Sequence, residues 1–256
     1  MSWNLVSKGG TELLNLQNHP FAVEAYFESS TILTFAVAKE ELERYVPKPL
    51  KLDLFDDKWG FLTIAMVDTK DLRPKGFPRI FGNDFFLIGY RIFVRYQTSA
   101  GKNLRGLYIL KSETNKLKME FLGNIFTRYA YTTTDIAQKT DGHQVEIKSK
   151  KSKFNLLYSR QAEGEMRLPK NSVFPSWKEA RRFVGPLPFT FEVDQANNKV
   201  LIIEGVRENW TAEPIELRTV NFDFIDSFNF NSIQLSNAFE IRGVPYYWKK
   251  GVFDPC

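Results

Sequence analysis

The sequence predicts a mainly β, antiparallel, barrel-like domain with a few short helices. Three observations carry this reading. Apolar residues alternate with polar ones at period two, the mark of half-buried strands. Turn pairs punctuate the alternating runs. The stretches with helical character are few and short.

The strands come first. Ile88, Tyr90, Ile92 and Val94 alternate with Gly89, Arg91 and Arg95, broken only by Phe93. Val145 and Ile147 alternate with Glu146 and Lys148. Phe189, Phe191 and Val193 alternate with Thr190, Glu192 and Asp194, and Asn197-Asn198 then turns the chain back into Lys199–Ile203 as a hairpin. Val220, Phe222 and Phe224 alternate with Asn221 and Asp223. Further turns fall at Asp56-Asp57, Ser99-Ala100-Gly101 and Asp141-Gly142.

Three helices are expected: Lys39–Tyr45, stopped by Pro47; Lys116–Phe121, with Gly123 as its C-cap; and Trp177–Phe183, ended by Gly185-Pro186. None is long enough to serve as the repeated crossover of a parallel sheet. The Pro- and Gly-rich stretch Asp71–Asn83 reads as an ordered connection beside a cavity. No linker or repeat divides the chain, so one domain over residues 1–256 is expected. A chain of 256 residues is compatible with an undivided β domain.

Composition narrows the function classes. Hydrophobic residues make up 43% and charged residues 25%, which excludes a disordered or fibrous chain. The 23 phenylalanines can line a large core or an apolar cavity. The one cysteine, Cys256, leaves no partner for an internal disulfide and fits a reducing compartment. Met1-Ser2-Trp3-Asn4 shows no basic stretch leading into an apolar one, so a cytoplasmic location is expected, with no membrane partner. The net charge of +5 is densest at Lys148, Lys150, Lys151 and Lys153. Without a recognition motif and stacking aromatics this reads as a solvated hairpin end, and no nucleic-acid partner is expected.

Several chemistries lack their residues. Only His19 and His143 could serve as histidine bases, and there is no Gly-x-Ser-x-Gly elbow. No Cys/His cluster suggests zinc, so no metal site is expected. No glycine-rich phosphate loop is present, and no cofactor is expected.

The segment Ile32–Leu72 is more specific. It holds a strand, a short helix, then Val46-Pro47-Lys48-Pro49-Leu50, Asp53, and a strand ending Ile64-Ala65-Met66-Val67-Asp68-Thr69. This order resembles the N-terminal part of acetoacetate decarboxylase and its relatives. Arg73-Pro74-Lys75-Gly76, Arg105-Gly106-Leu107-Tyr108 and Ser176-Trp177 through Pro188 extend the resemblance to the bacterial family of unassigned function called domain of unknown function 2071. The resemblance implies an acetoacetate decarboxylase-like fold around a deep apolar pocket, and homo-oligomers. The Val-Pro-x-Pro-Leu run itself only ends a helix and leads into a strand.

Acetoacetate decarboxylases act through a lysine that condenses with a ketone, and the resemblance makes Lys111 the nearest equivalent. The amine must be free to react, which burial and a neighbouring cation favour. Here no proline precedes Lys111, Ser112 stands where the second lysine is expected, and Glu113 is an anion; Arg105 or Lys116 would have to supply the missing charge. Leu62 and Glu28 replace a glutamate and a basic residue of the family pattern. Arg91 and Arg95 fall on one strand face about 13 Å apart, and either could hold an acid in bidentate fashion. Phe61, Met66, Phe86, Phe93, Tyr108 and Phe126 are expected to line one pocket near Lys111.

Three functions remain. The favoured one is a protein that binds a small organic molecule in the apolar pocket without a covalent lysine. The second is a Schiff-base lyase acting on a small keto acid through Lys111. The third is a nucleic-acid or anionic-surface binder using Lys148–Lys153.

Overall fold

The computed structural model describes residues 16–160 and 168–256. Fourteen strands account for most of it: β1 (Val23–Ala38), β2 (Lys51–Leu52), β3 (Trp59–Pro74), β4 (Asn83–Gln97), β5 (Asn103–Thr114), β6 (Tyr131–Thr133), β7 (Ala137–Asp141), β8 (Gln144–Ser149), β9 (Phe154–Arg160), β10 (Phe189–Asp194), β11 (Lys199–Arg207), β12 (Glu213–Phe222), β13 (Ile233–Trp248) and β14 (Val252–Pro255). Four short helices join them: α1 (Lys39–Leu42), α2 (Leu117–Phe126), α3 (Trp177–Val184) and α4 (Asp223–Asp226).

Hydrogen bonding runs from β11 through β10, β5, β4, β3, β1 and β13, and β13 pairs back onto β11. Those seven strands therefore bond as a ring. The ladders are antiparallel except two short parallel ones, β5 with β10 and β5 with β6. Strands β7, β8, β9 and β12 form a second layer that reaches the ring through β12 and β13.

Side-chain parity sorts each ring strand into two faces. In β4 the even positions Ile88, Tyr90, Ile92 and Val94 enter the main core, together with Val145, Ile147, Leu156 and Tyr158 of the second layer. The odd positions Leu87, Arg91 and Phe93 turn into the ring. Phe93 therefore continues the alternation of the opposite face and does not break it. The Asn197-Asn198 hairpin forms as expected, with Asn198 in the left-handed region at φ 48°.

Two local expectations need correction. The helix starting near Lys116 runs through Gly123 to Phe126. Gly123 is not a cap but a contact point: a Cβ there would overlap the Tyr131 ring. The alternation through Phe224 also stops early. Strand β12 ends at Phe222 and Asp223 opens α4, so Phe224 packs against Tyr90 with ring centroids 4.6 Å apart.

The connection expected over Asp71–Asn83 is shorter, 75–82, because β3 continues to Pro74 and Asn83 opens β4; Leu72, Phe77 and Phe81 border a pocket there. The Lys148–Lys153 cluster spans the end of β8 and the turn into β9. Lys148 pairs with Glu146 at 2.6 Å, Lys151 donates to the Thr133 carbonyl at 2.8 Å, and Lys153 lies 3.6 Å from Asp223. No helix among the described residues is long and apolar enough to cross a membrane.

Candidate functional site

The inside of the ring narrows to a cavity of about 110 Å³, to which all seven ring strands contribute. Its polar groups converge from distant parts of the chain. Arg91 comes from β4, Ser112 from β5, Arg207 from β11 and Tyr246 from β13. Tyr129 and Tyr131 enter from the segment after α2. Apolar side chains such as Ile109, Leu187 and Phe239 supply most of the rest.

Arg91 is the exceptional member. Its guanidinium folds back over Gly89, where a Cβ would stand 2.7 Å from Nε and 2.9 Å from Nη2. Glycine at 89 thus makes room for the charge. Among the described residues no carboxylate pairs with Arg91, and its Nε is sealed without an acceptor. Burial lowers its affinity for a proton; the neighbouring Tyr246, Tyr131 and Tyr129 oppose that shift and Arg207 adds to it. A charged group without a counterion in an enclosed site is costly unless something else partners it.

The surrounding groups are tuned by the same burial. Tyr131 is pushed up to about 12, with Arg91 pulling the other way. Tyr129 is raised well above the ordinary tyrosine range, chiefly by burial, and its hydroxyl has no partner among the described residues. Arg207 is held in place: Nη2 donates to the Leu187 carbonyl at 3.0 Å and to Tyr246 Oη at 3.2 Å, and the guanidinium lies 4.9 Å over the Tyr246 ring. On β10, Glu192 lies two residues beyond cavity-lining Thr190, and burial pushes it up to about 8, partly opposed by Arg128. It is therefore mostly protonated at neutral pH.

The residues expected from the sequence separate. Arg91 and Phe93 line the cavity. Phe61 packs beside it, stacked on Phe174 at 5.3 Å. Met66 and Phe86 lie in the main core and Tyr108 packs against that core, because all three have the parity of the opposite face. Phe126 borders a different pocket. Arg95 is an anchor: its Nε donates to Asp53 Oδ1 at 2.5 Å, while Arg105 Nε donates to Oδ2 at 2.6 Å, and Asp53 is fully buried between them.

Lys111 does not reach the cavity. The β4–β5 ladder shifts register there, with Tyr90 opposite Lys111 but Arg91 opposite Ile109. This bulge sends Leu110 and Lys111 to the outer face and returns Ser112 to the inner one. Lys111 Nζ sits 2.9 Å from Glu113 Oε1 and 4.9 Å over the Phe224 ring. Among the described residues no lysine lines the cavity. Sequence reasoning missed Arg207, Tyr129, Tyr131 and Tyr246; of these only Tyr129 and Tyr131 carry a local hint, their period-two spacing after a helix.

This architecture is shared with known structures. Acetoacetate decarboxylase from Legionella pneumophila superposes with a TM-score of 0.60 over 91% of this chain and 87% of that one, at 10% identity. The enduracididine biosynthesis enzyme MppR, solved with pyruvate, gives 0.57 over 91% and 90%, at 8% identity. An acetoacetate decarboxylase-like enzyme from Sphingomonas wittichii RW1 gives 0.56 over 98% of both chains, at 9% identity. These likenesses establish an acetoacetate decarboxylase-like fold. No curated protein matches the sequence. The family model described as an uncharacterized conserved protein, DUF2071, matches residues 24–240, and the chain belongs to that family.

Proposed function

We propose that the protein binds a small organic acid, of the size of a short keto acid, in the ring cavity with Arg91 as the anion anchor. The observation that carries this reading is the enclosed Arg91 guanidinium, which has no carboxylate partner among the described residues and faces a cavity with Tyr129, Tyr131 and Tyr246. A carboxylate would supply the missing counterion, and guanidinium geometry suits it in bidentate fashion. The volume of about 110 Å³ is below the roughly 150 Å³ that accepts benzene, which points to a ligand of a few heavy atoms. One structural neighbour is named for acetoacetate and another was solved with pyruvate, which supports the same ligand class.

The Schiff-base alternative through Lys111 has less support. Its amine is engaged by Glu113 on the face away from the cavity. Calorimetric titration with pyruvate, acetoacetate and the neutral pyruvamide tests the proposal. The acids are expected to bind one per chain, pyruvamide at least tenfold more weakly, and Arg91→Met to abolish the difference. No acid binding, or acid binding that survives Arg91→Met, would reject it. A borohydride-trapped adduct on Lys111 would favour the lyase reading instead.

A further inference from the structure

A second and larger pocket, of about 490 Å³, lies outside the ring. It is enclosed by α2, by the stretch from His19 to Val23, and by the connection between β3 and β4. Leu87, Tyr129, Tyr131 and Trp248 form a wall common to this pocket and the Arg91 cavity. We propose that it is a binding site for a neutral, mostly apolar organic molecule, separate from the Arg91 site.

Its size is the first argument. Close-packed interiors leave few voids larger than a water molecule, whereas small-molecule sites span roughly 300–1,000 Å³. The walls are the second. Phe21, Leu72, Phe85, Met119, Leu122 and Phe126 supply most of the surface. Phe77 and Phe81 stand at the rim, 53% and 58% exposed. Apolar rings left in water beside an apolar hollow favour an apolar occupant.

Charge excludes an acid. Arg73 is already engaged, by Glu24 at 2.7 Å, by Asp71, and by the Phe77 carbonyl at 2.9 Å. Lys118 is exposed at the rim. Burial holds His19 down to about 4, so it is neutral at pH 7. A carboxylate inside would lose its hydration without gaining a fixed cation.

The test is titration of the full chain at pH 7.5 with 4-propylphenol and 1-octanol, against octanoate. Both neutral probes are expected to bind one per chain, with octanoate at least tenfold weaker. Leu122→Trp fills the pocket from α2 and is expected to weaken the neutral probes at least tenfold. Phe81→Glu, at an exposed position that leaves folding intact, is expected to weaken them severalfold. Arg91→Met is expected to leave them unchanged, which separates this site from the acid site. Absence of binding by the neutral probes, equal or tighter binding of octanoate, indifference to both pocket variants, or loss of binding in Arg91→Met would each overturn the proposal.

Discussion

Replacing Arg91 by methionine is expected to stabilise the ligand-free protein. The side chain is half-buried with its Nε sealed, and among the described residues Nε has no acceptor and no carboxylate pairs with the guanidinium. An unsatisfied enclosed donor costs about 1–3 kcal/mol, more when charged. Methionine keeps an unbranched apolar stem in the space beside Gly89 and removes the charge. Against the gain stands the volume lost at the tip, a cavity contribution of roughly 1 kcal/mol. The net expectation is a gain of up to about 2 kcal/mol, which at about 2–4 °C per kcal/mol for a chain of this size raises Tm by up to roughly 8 °C. Urea unfolding and calorimetry at pH 7 measure it. The same experiment with pyruvate separates stability from binding. Wild type should gain about 2.7 kcal/mol at a hundredfold excess over Kd, and Arg91→Met should gain nothing. A variant that unfolds at lower urea and lower temperature than wild type would show that Arg91 is structurally satisfied, and the argument for an anion site would fall with it.

Other perturbations follow from the same geometry. Glu192 has its folded-state pKa raised to about 8 from 4.5, so the folded state holds the proton more tightly. Its contribution is complete below about pH 4.5 and is lost as pH rises towards 8; Glu192→Gln should flatten this fall, worth at most roughly 4 kcal/mol, in unfolding measured from pH 5 to 9. Asp53→Ala leaves Arg95 and Arg105 without their buried counterion and should cost about 3 kcal/mol in urea unfolding, near the low end for broken buried pairs because both arginines keep partial solvent contact. Gly123→Ala should destabilise by about 1–3 kcal/mol despite alanine's higher helix propensity, because the new methyl meets the Tyr131 ring; an increase in Tm would refute the contact argument.

The strands were legible because parity repeats along them. Ile88, Tyr90, Ile92 and Val94 all reach the main core, and the polar-marked face between them holds Arg91. Parity applied to the pocket candidates separates them correctly. In β4 it sets Phe86 apart from Phe93, and in β3 it sets Met66 apart from Phe61. Grouping all six aromatic and methionine candidates in one pocket ignored that rule. The end of β12 was less legible, since Phe224 keeps the alternation while the backbone has already turned into α4. Glycine in α2 looked like a stop signal because sequence shows the missing side chain but not the Tyr131 ring that requires it. Tyr246 and Arg207 join Arg91 only through ring closure by β13 on β11, a pairing with no local signature.

The least legible feature is also the one with chemical consequence. In a regular strand Lys111 would share a face with Ile109 and enter the ring. One extra residue in β5 reverses this, so that Ile109 and Ser112 face inward while Lys111 lies against Tyr90, Phe224 and Glu113. Bulges depend on the opposing strand, here the Tyr90–Arg91 step of β4, and no residue near Lys111 announces one. Condensation with a ketone needs an unprotonated amine. Among the described residues the cationic side chains lining this ring are the guanidiniums of Arg91 and Arg207, each a planar fork of donors. Such groups can hold a carboxylate but cannot add to a carbonyl, so a bulge that turns Lys111 away from the ring fits the proposed anion site better than the Schiff-base alternative.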